Sequence, residues 1–161
     1  MFGEEYTLVS IAHYILKNKK GNTVSNLSST KALKDITEKE DGKYYASAVG
    51  EVNVVEKMKE VNAVIGGEGN GGIIYPELHY GRDSLVGIAL FLTHLAMFGK
   101  TCSKLRETYP DYFISKNKIE LQPNINLDMI LEKVIEKYSK YNINTIDGVR
   151  IDFGNEWLHL R

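Results

Sequence analysis

The sequence predicts an α/β fold, in which a layered domain with helices on both faces of a mixed sheet precedes a partial α+β domain. Through the first part of the chain, short apolar segments typical of strands alternate with longer segments whose apolar residues recur at helical spacing. The 161 residues, 43% of them hydrophobic, suffice for one medium domain or two small ones. A proline-marked change of pattern predicts a boundary, with domains at residues 1–109 and 110–161.

Helices and strands alternate regularly up to residue 65. Apolar residues recur at helical spacing in three segments, which predict helices over residues 4–16, 30–38 and 52–61. Short apolar segments between them predict strands at residues 23–25, 44–49 and 63–65. Ser28, Ser29 and Thr30 are the predicted N-cap candidates of the second helix, because their hydroxyl groups can accept hydrogen bonds from its first amides.

A glycine-rich stretch and a long apolar helix follow. Five glycines occupy the seven positions 66–72, and residues 73–75 leave this stretch as a strand that Pro76 ends. Asp83 is the predicted N-cap of a helix over residues 84–97. Because that helix is apolar on most faces, we expect it to be largely buried.

The second domain is predicted as an incomplete β-α-β-β piece. A short helix ends at Tyr109, Pro110 breaks it, and a loop is expected at Pro123. Alternating and helical spacing then predict a strand at 113–121, a helix at 127–135, and strands at 149–153 and 156–161. Since the last strand still alternates at the final residue, we expect the domain to be truncated.

Composition disfavours several classes of function. The net charge of −1 gives no general attraction for nucleic acid or for an anionic membrane. No apolar segment has the length of a membrane span. Cys102 is the sole cysteine, so no internal disulfide can form, which fits a reducing compartment and a cytoplasmic location. The four histidines and this cysteine show no metal-ligand spacing, so we predict no metal site in this chain.

The glycine-rich stretch is the main candidate site. Glu68 and Asn70 are the only side chains among its glycines, and together they form a hydrogen-bonding platform suited to a polyhydroxylated ligand. Gly67, Gly69 and Gly72 also match G-x-G-x-x-G, but that nucleotide fingerprint requires a following helix, and a strand is predicted instead. We therefore reject nucleotide binding, while a hairpin without function stays an alternative.

This stretch, Gly67-Glu68-Gly69-Asn70-Gly71-Gly72, resembles the sugar-binding loop of the α-D-phosphohexomutases, the group of phosphoglucomutase, phosphomannomutase and phosphoglucosamine mutase. The family loop usually reads Gly-Glu-x-Ser-Gly-His, so this chain departs from it at Asn70 and Gly72. The pair Gly50-Glu51, seventeen residues before Glu68, and the segment from His79 to Asp83 also fit the family. The resemblance covers nearly the whole chain.

The resemblance implies a fragment of a four-domain enzyme, covering the third domain and part of the fourth. The phosphoserine and the aspartate-rich magnesium loop would lie in domains outside this chain, so we expect no catalytic residue here and no activity of the chain alone. Its expected partners are a hexose phosphate and the remaining domains, with magnesium and hexose 1,6-bisphosphate as cofactors. The hexose stays open between glucose, mannose and glucosamine, and a non-catalytic sugar-phosphate-binding module is the alternative.

Four candidate substrate-binding residues lie in the loop. By resemblance, Glu68 accepts hydrogen bonds from two sugar hydroxyls, and charge-assisted bonds of this kind are strong. Asn70 can both donate and accept, although asparagine also suits a left-handed turn. Gly67 and Gly69 let a ligand approach the backbone closely.

Two more candidates lie outside the loop. Glu51 occupies a position where the family often has a histidine facing the sugar, although an acidic residue also suits a helix N-terminus. Arg82 can reach a phosphate with its planar guanidinium, although a structural pair with an aspartate is an equal alternative. Ser28 and Ser29 lie where some family members have a sugar-contacting lysine, but the helix-cap interpretation is favoured.

Overall fold

The computed structural model describes residues 2–122 and 125–161. The chain divides into two compact units between Phe113 and Ile114, a few residues beyond the boundary expected at residue 109. The loop expected at Pro123 lies outside the described residues. Within the described ranges, no helix combines the length and the apolar character that crossing a membrane requires.

The first unit alternates helices and strands as its spacing predicts. Its elements, in chain order, are α1 (Glu4–Asn18), β1 (Asn22–Asn26), α2 (Ala32–Lys39), β2 (Tyr44–Ser47), α3 (Glu51–Glu60), β3 (Ala63–Gly67), β4 (Ile73–Ile74), α4 (Ser84–Phe98) and α5 (Cys102–Arg106). The predicted α/β class with a mixed sheet is confirmed.

The sheet of the first unit has the strand order β2-β1-β3-β4. The first three of these strands run parallel, and β4 returns antiparallel to β3. Helices α2 and α3 are the crossover connections that parallel neighbours require. Because β1, β2 and β3 are parallel, their carboxyl ends meet at one edge of the sheet, where α/β proteins usually bind ligands.

Two apolar cores hold the helices on opposite faces of this sheet. On one face, Leu8 and Ile11 of α1 pack with Leu33 of α2 in a core from which water is excluded. On the other face, Val54 and Met58 of α3 pack with Val24, Ala63 and Ile74. Burial of this kind stabilises a fold by roughly 25 cal/mol per Å² of apolar surface, so these two cores hold α1, α2 and α3 against the sheet.

Helix α4 contradicts the expectation that it is largely buried. Of its fifteen residues only Gly87 and His94 are buried, while Leu85 is 77% exposed and Leu92 is 56% exposed. Apolar composition makes burial of a helix favourable, but burial also requires a neighbouring layer that covers the helix. The inner face of α4 packs mainly against α1, with further contacts to β4 and α5, while the outer-face side chains stay exposed in the described unit.

The second unit is a helix followed by a small antiparallel sheet. Helix α6 (Leu127–Lys137) precedes β5 (Asn142–Asn144), β6 (Val149–Asp152) and β7 (Trp157–Leu160), which pair in the order β5-β6-β7. The strand predicted at 113–121 is wrong, because no strand is formed over that segment, whose alternating side chains have no paired backbone beside them. The three-residue strand β5 is too short to show a period of two. The expected β-α-β-β order is therefore replaced by α-β-β-β.

Candidate functional site

The carboxyl ends of the three parallel strands bring distant residues together around one carboxylate. Asn26 is the last residue of β1, and Glu68 directly follows β3. Gly50 lies in the connection between β2 and α3, immediately before α3. The side-chain amide of Asn26 donates to Oε1 of Glu68 at 2.8 Å, and the backbone amide of Gly50 donates to the same oxygen at 3.2 Å. The sheet topology thus creates a common site from residues up to 42 positions apart.

Glu68 is a buried charge whose two oxygens have different surroundings. The residue is only 6% exposed. Oε1 accepts the two hydrogen bonds from Asn26 and Gly50, whereas Oε2 lies 3.8 Å from a guanidinium nitrogen of Arg82. A buried carboxylate is tolerated only where donors and opposite charge replace its hydration. The carboxylate is therefore fixed at one oxygen and faces a cation at the other.

The glycine-rich stretch forms a tight hairpin loop between β3 and β4. The backbone amide of Glu68 donates to the carbonyl oxygen of Gly72 at 3.2 Å, which closes the loop. A Cβ at Gly67 would meet that same carbonyl oxygen, and a Cβ at Gly69 would meet the carboxylate of Glu5. Backbone packing therefore requires glycine at position 67, whereas a side chain at position 69 would have to displace the carboxylate of Glu5. A strand, not a helix, follows Gly72, as the rejection of nucleotide binding expects.

Asn70 is exposed at the tip of this loop, and its backbone is not left-handed. Its side-chain oxygen accepts from the backbone amide of Gly72 at 3.0 Å, while Gly71 takes the positive φ of 84°. The left-handed interpretation of Asn70 is therefore wrong. The residue contributes its amide to the wall of an open pocket of about 500 Å³, which Gly72, Arg82 and Ser84 also line.

Arg82 joins the loop to the start of α3. Oε1 of Glu51 accepts from the backbone amide of Arg82 at 3.0 Å, and Oε2 accepts from its Nε at 2.7 Å. These bonds, the backbone bond first, hold the pKa of Glu51 below its ordinary value. The alternative, a structural pair of Arg82 with an aspartate, is replaced by the pair with Glu51, because Asp83 instead caps α4 at Val86 and lies 3.1 Å from His79.

The side chain of Arg82 lies directly over Gly72. A Cβ at position 72 would stand 2.6 Å from Cδ of Arg82, so the arginine stem fills the space that any side chain there would take. Its guanidinium is shared between Glu51 and Glu68 and lies at the pocket wall. A planar guanidinium offers five donors, so this cation can hold two carboxylates and still donate to a ligand.

The structure thus brings all six predicted residues to one place. It adds Ser29, for which a helix-cap role was favoured, and Asn26, which was not among the candidates. The hydroxyl of Ser29 donates to Oδ1 of Asn26 at 2.9 Å and accepts from the backbone amide of Gly69 at 3.1 Å. The helix-cap interpretation of Ser28 and Ser29 is wrong, because α2 begins only after Lys31. The sequence signal that indicates Asn26 is its place at the carboxyl end of a parallel strand.

The described residues form no cluster of metal-binding side chains. Across 2–122 and 125–161, no group of three or more His, Cys, Asp or Glu side chains is placed to hold a metal ion. We therefore derive no chemical step through a metal here.

Comparison with known proteins defines the class of protein to which this fold and loop belong. The family model described as Phosphoglucomutase/phosphomannomutase, alpha/beta/alpha domain III, matches residues 3–112. The chain therefore belongs to the phosphoglucomutase/phosphomannomutase family, and residues 3–112 correspond to its domain III.

Individual relatives agree with this placement. The chain is 32% identical to a phosphoglucosamine/phosphogalactosamine mutase of Sulfurisphaera tokodaii, over 91% of this chain and 33% of that protein. It is also 32% identical to a phosphoglucomutase/phosphomannomutase of Thermococcus kodakarensis, over 96% of this chain and 34% of that protein. The chain thus spans about a third of the length of these curated relatives.

A solved structure shows the same fold. A phosphoglucomutase/phosphomannomutase family protein of Burkholderia thailandensis superposes with a TM-score of 0.71 and 22% identity, covering 95% of this chain and 33% of that one.

Proposed function

We propose that this chain supplies the sugar-binding part of a phosphohexomutase that interconverts hexose 1-phosphate and hexose 6-phosphate. The observation that carries the proposal is the state of Glu68, whose carboxylate is buried, fixed through Oε1 and directed through Oε2 toward the arginine at the pocket wall. Carboxylates in this state are suited to accept hydrogen bonds from vicinal hydroxyl groups.

The other site residues complete a surface for a sugar phosphate. Asn70 offers both a donor and an acceptor to a hydroxyl group, and Arg82 offers guanidinium donors to a hydroxyl or to a phosphate oxygen. Because two vicinal hydroxyls in the middle of a hexose take each other's places when its two ends exchange, the same grip on the pair can serve both half-reactions. The contribution of this chain to catalysis is positioning of the substrate.

The groups that transfer phosphate are assigned to domains outside this chain. There a phosphoserine would give its phosphate to one end of the sugar and take it back from the other, through hexose 1,6-bisphosphate, and a magnesium ion would supply charge stabilisation. We therefore expect the chain alone to bind sugar phosphates without turnover. A cytoplasmic location is part of the same proposal.

Titration of the chain tests the binding role directly. Glucose 1-phosphate, mannose 1-phosphate and glucosamine 6-phosphate are added to the isotope-labelled chain, and the amide shifts of the glycine loop are followed by NMR. Glu68→Ala should weaken binding about tenfold or more, because charge-assisted bonds contribute 1.5–3 kcal/mol. Glu60→Ala is the matched control, since Glu60 lies at the far end of α3 and pairs only with Lys57 among the contacts described.

Turnover assays separate the enzyme from the binding module. Each sugar phosphate is assayed with magnesium, using the chain alone and the chain mixed with the remaining part of a relative such as the Thermococcus enzyme. Turnover only in the mixture supports the mutase part, whereas turnover by the chain alone contradicts the assignment of the nucleophile to another domain. Binding with no turnover in either assay favours a non-catalytic module, and no binding to any sugar phosphate overturns the proposal.

A further inference from the structure

The end of β1 carries a polar network behind Glu68, and the proposed function assigns no role to its residues. Asn26 is 7% exposed, and its side-chain amide donates to Oε1 of Glu68 at 2.8 Å. Its side-chain oxygen accepts from the backbone amide of Ser28 at 3.0 Å and from the hydroxyl of Ser29 at 2.9 Å. Both ends of this amide are therefore engaged inside the protein.

The network determines which way the Asn26 amide points. The backbone amide of Ser28 can only donate, so the atom of Asn26 that faces it must be the oxygen. The NH₂ group must then face Glu68, where it acts as a donor to the carboxylate. No rotation of the amide satisfies both neighbours in the opposite sense, so the donor to Oε1 is fixed by the local backbone.

Ser29 connects this amide to the loop that follows Glu68. The serine is 2% exposed, and its hydroxyl accepts from the backbone amide of Gly69 at 3.1 Å while donating to Asn26. The side chain of Glu68 and the backbone of the next residue are thus held by the same two residues. A buried network in which each group is satisfied holds its members in one arrangement.

The two oxygens of Glu68 therefore cannot exchange freely. Oε1 lies between the donors of Asn26 and Gly50, whereas Oε2 is left facing Arg82. Without the Asn26 donor, only the backbone amide of Gly50 would still donate to the carboxylate, and either oxygen of Glu68 could accept that bond.

We propose that Asn26, oriented by Ser28 and Ser29, is a positioning residue that fixes the Glu68 carboxylate so that Oε2 is the oxygen presented to a sugar hydroxyl. This inference rests on the proposed function of Glu68, but it assigns to the end of β1 a role in substrate recognition. This arrangement favours a substrate whose hydroxyl group donates to one carboxylate oxygen, Oε2 of Glu68.

Asn26→Asp tests the role with almost no change in shape. The new carboxylate keeps the oxygen that faces Ser28 and Ser29 but replaces the donor to Glu68 with a like charge. At pH 7.5 we expect binding of the three sugar phosphates to weaken about tenfold, because a hydrogen bond to a charged group is lost. At lower pH one proton shared by the two carboxylates should restore part of the affinity, since close like charges favour protonation of one partner.

Two further variants separate positioning from a loss of folding. Ser29→Ala keeps Asn26 but releases Gly69, so it should weaken binding less, by about threefold, without the recovery in acid. Asn22→Asp is the matched control, because Asn22 lies on the same strand and its amide donates to the backbone oxygen of Val61 at 2.6 Å. The control should bind as the parent does at every pH, and circular dichroism melting checks that all variants are folded.

A measurement without ligand decides the inference separately from the proposed function. Three-bond NMR couplings report the side-chain rotamer of Glu68, which should be single in the parent and averaged in Asn26→Asp at pH 7.5. An unchanged rotamer, or parent-like affinity in this variant across the pH range, overturns the positioning role even if Glu68→Ala abolishes binding. Equal binding by the parent and Glu68→Ala instead overturns the proposed function while the rotamer result still stands.

Discussion

The strand-end site and the outer face of α4 show opposite relations between polarity and burial. Glu68 carries a charge and is 6% exposed, whereas Leu85 is apolar and 77% exposed. Glu68 is buried because Asn26, Gly50 and Arg82 surround it. Leu85 is exposed because no described element of its unit covers it. Burial in this molecule is therefore decided by the neighbours that the topology provides, and hydropathy alone misplaces both residues.

Helix α4 repeats this inversion within itself. His94 lies on the buried side at 6% exposure, and its Nδ1 lies 2.9 Å from the carbonyl oxygen of Ser10 on α1. The apolar residues Ile88, Leu92 and Met97 are more than half exposed. A helix whose polar residue faces inward and whose leucines face outward is stable in this unit because the inner contacts are satisfied, not because its apolar surface is hidden.

The largest expected effect is on stability, and it distinguishes two leucine-to-alanine substitutions at different places in the fold. Leu33→Ala in α2 should lower the free energy of unfolding by about 3 kcal/mol, because the side chain is 1% exposed and its removal leaves a cavity. Leu85→Ala in α4 should change it by no more than about 0.5 kcal/mol, because the side chain is already in water. Urea unfolding followed by fluorescence measures both. Similar losses for the two variants would contradict the exposure of the outer face.

The second prediction concerns the loop that carries Glu68. Gly67→Ala should cost about 2 kcal/mol or more, because the new Cβ would meet the carbonyl oxygen of Gly72, and relief requires the hairpin to open. Gly71→Ala is the matched change in the same loop. Its Cβ meets nothing within 4 Å, so the strain of a positive φ of 84° should be the whole cost, about 1 kcal/mol. The order of the two losses in thermal melts is the test, and a reversed order would refute this packing.

The third prediction concerns the pH dependence of stability that arises from the buried histidines between α1 and α4. Burial chiefly, and then Lys17, lowers the pKa of His13 from 6.5 to about 4, and burial also lowers the pKa of His94. His13 also faces Glu40, at 3.4 Å, and the hydroxyl of Tyr109, at 3.2 Å, and Lys39 adds a smaller repulsion. Because the unfolded chain binds protons that the folded chain does not, stability is complete above about pH 6.5 and falls as the pH drops toward 4.

Urea unfolding at two pH values measures this linkage. Between pH 7 and pH 5 the free energy of unfolding should fall by about 2 kcal/mol on account of His13. His13→Gln should remove most of that dependence, whereas His79→Gln, which changes an exposed turn residue, should keep it. A parent whose stability is flat over this range would show that His13 is not buried in its neutral form.

Particular residues show how far the sequence predicts this molecule. The alternation of helices and strands and the position of the glycine loop are local properties, so spacing and turn residues predicted them. The role of Asn26 depends on contact with a residue 42 positions away, which no local pattern contains. For α4, spacing predicted a helix correctly, but its exposure depends on which layers lie beside it. The sequence missed the three-residue strand β5 and wrongly predicted a strand at 113–121 for a related reason. A strand is defined by the neighbouring strand with which its backbone pairs.

The smallest expected change in stability tests the exposed part of the site. The pair of Glu51 with Arg82 is partly open to solvent, with side chains 34% and 46% exposed, and such pairs contribute little to stability. Glu51→Gln should therefore leave the unfolding midpoint unchanged within error.

The same change frees the guanidinium from one of its two carboxylates, so Arg82 should move closer to Oε2 of Glu68 and compete with the sugar hydroxyl. We expect affinity for sugar phosphates to fall by about threefold. Titration at two salt concentrations is the measurement, with Glu77→Gln, whose partners are Lys19 and Tyr75, as the exposed control. An unchanged affinity would mean that the orientation of Glu68 is set by Asn26 and Gly50 alone, and the buried part of the site would then act independently of its exposed rim.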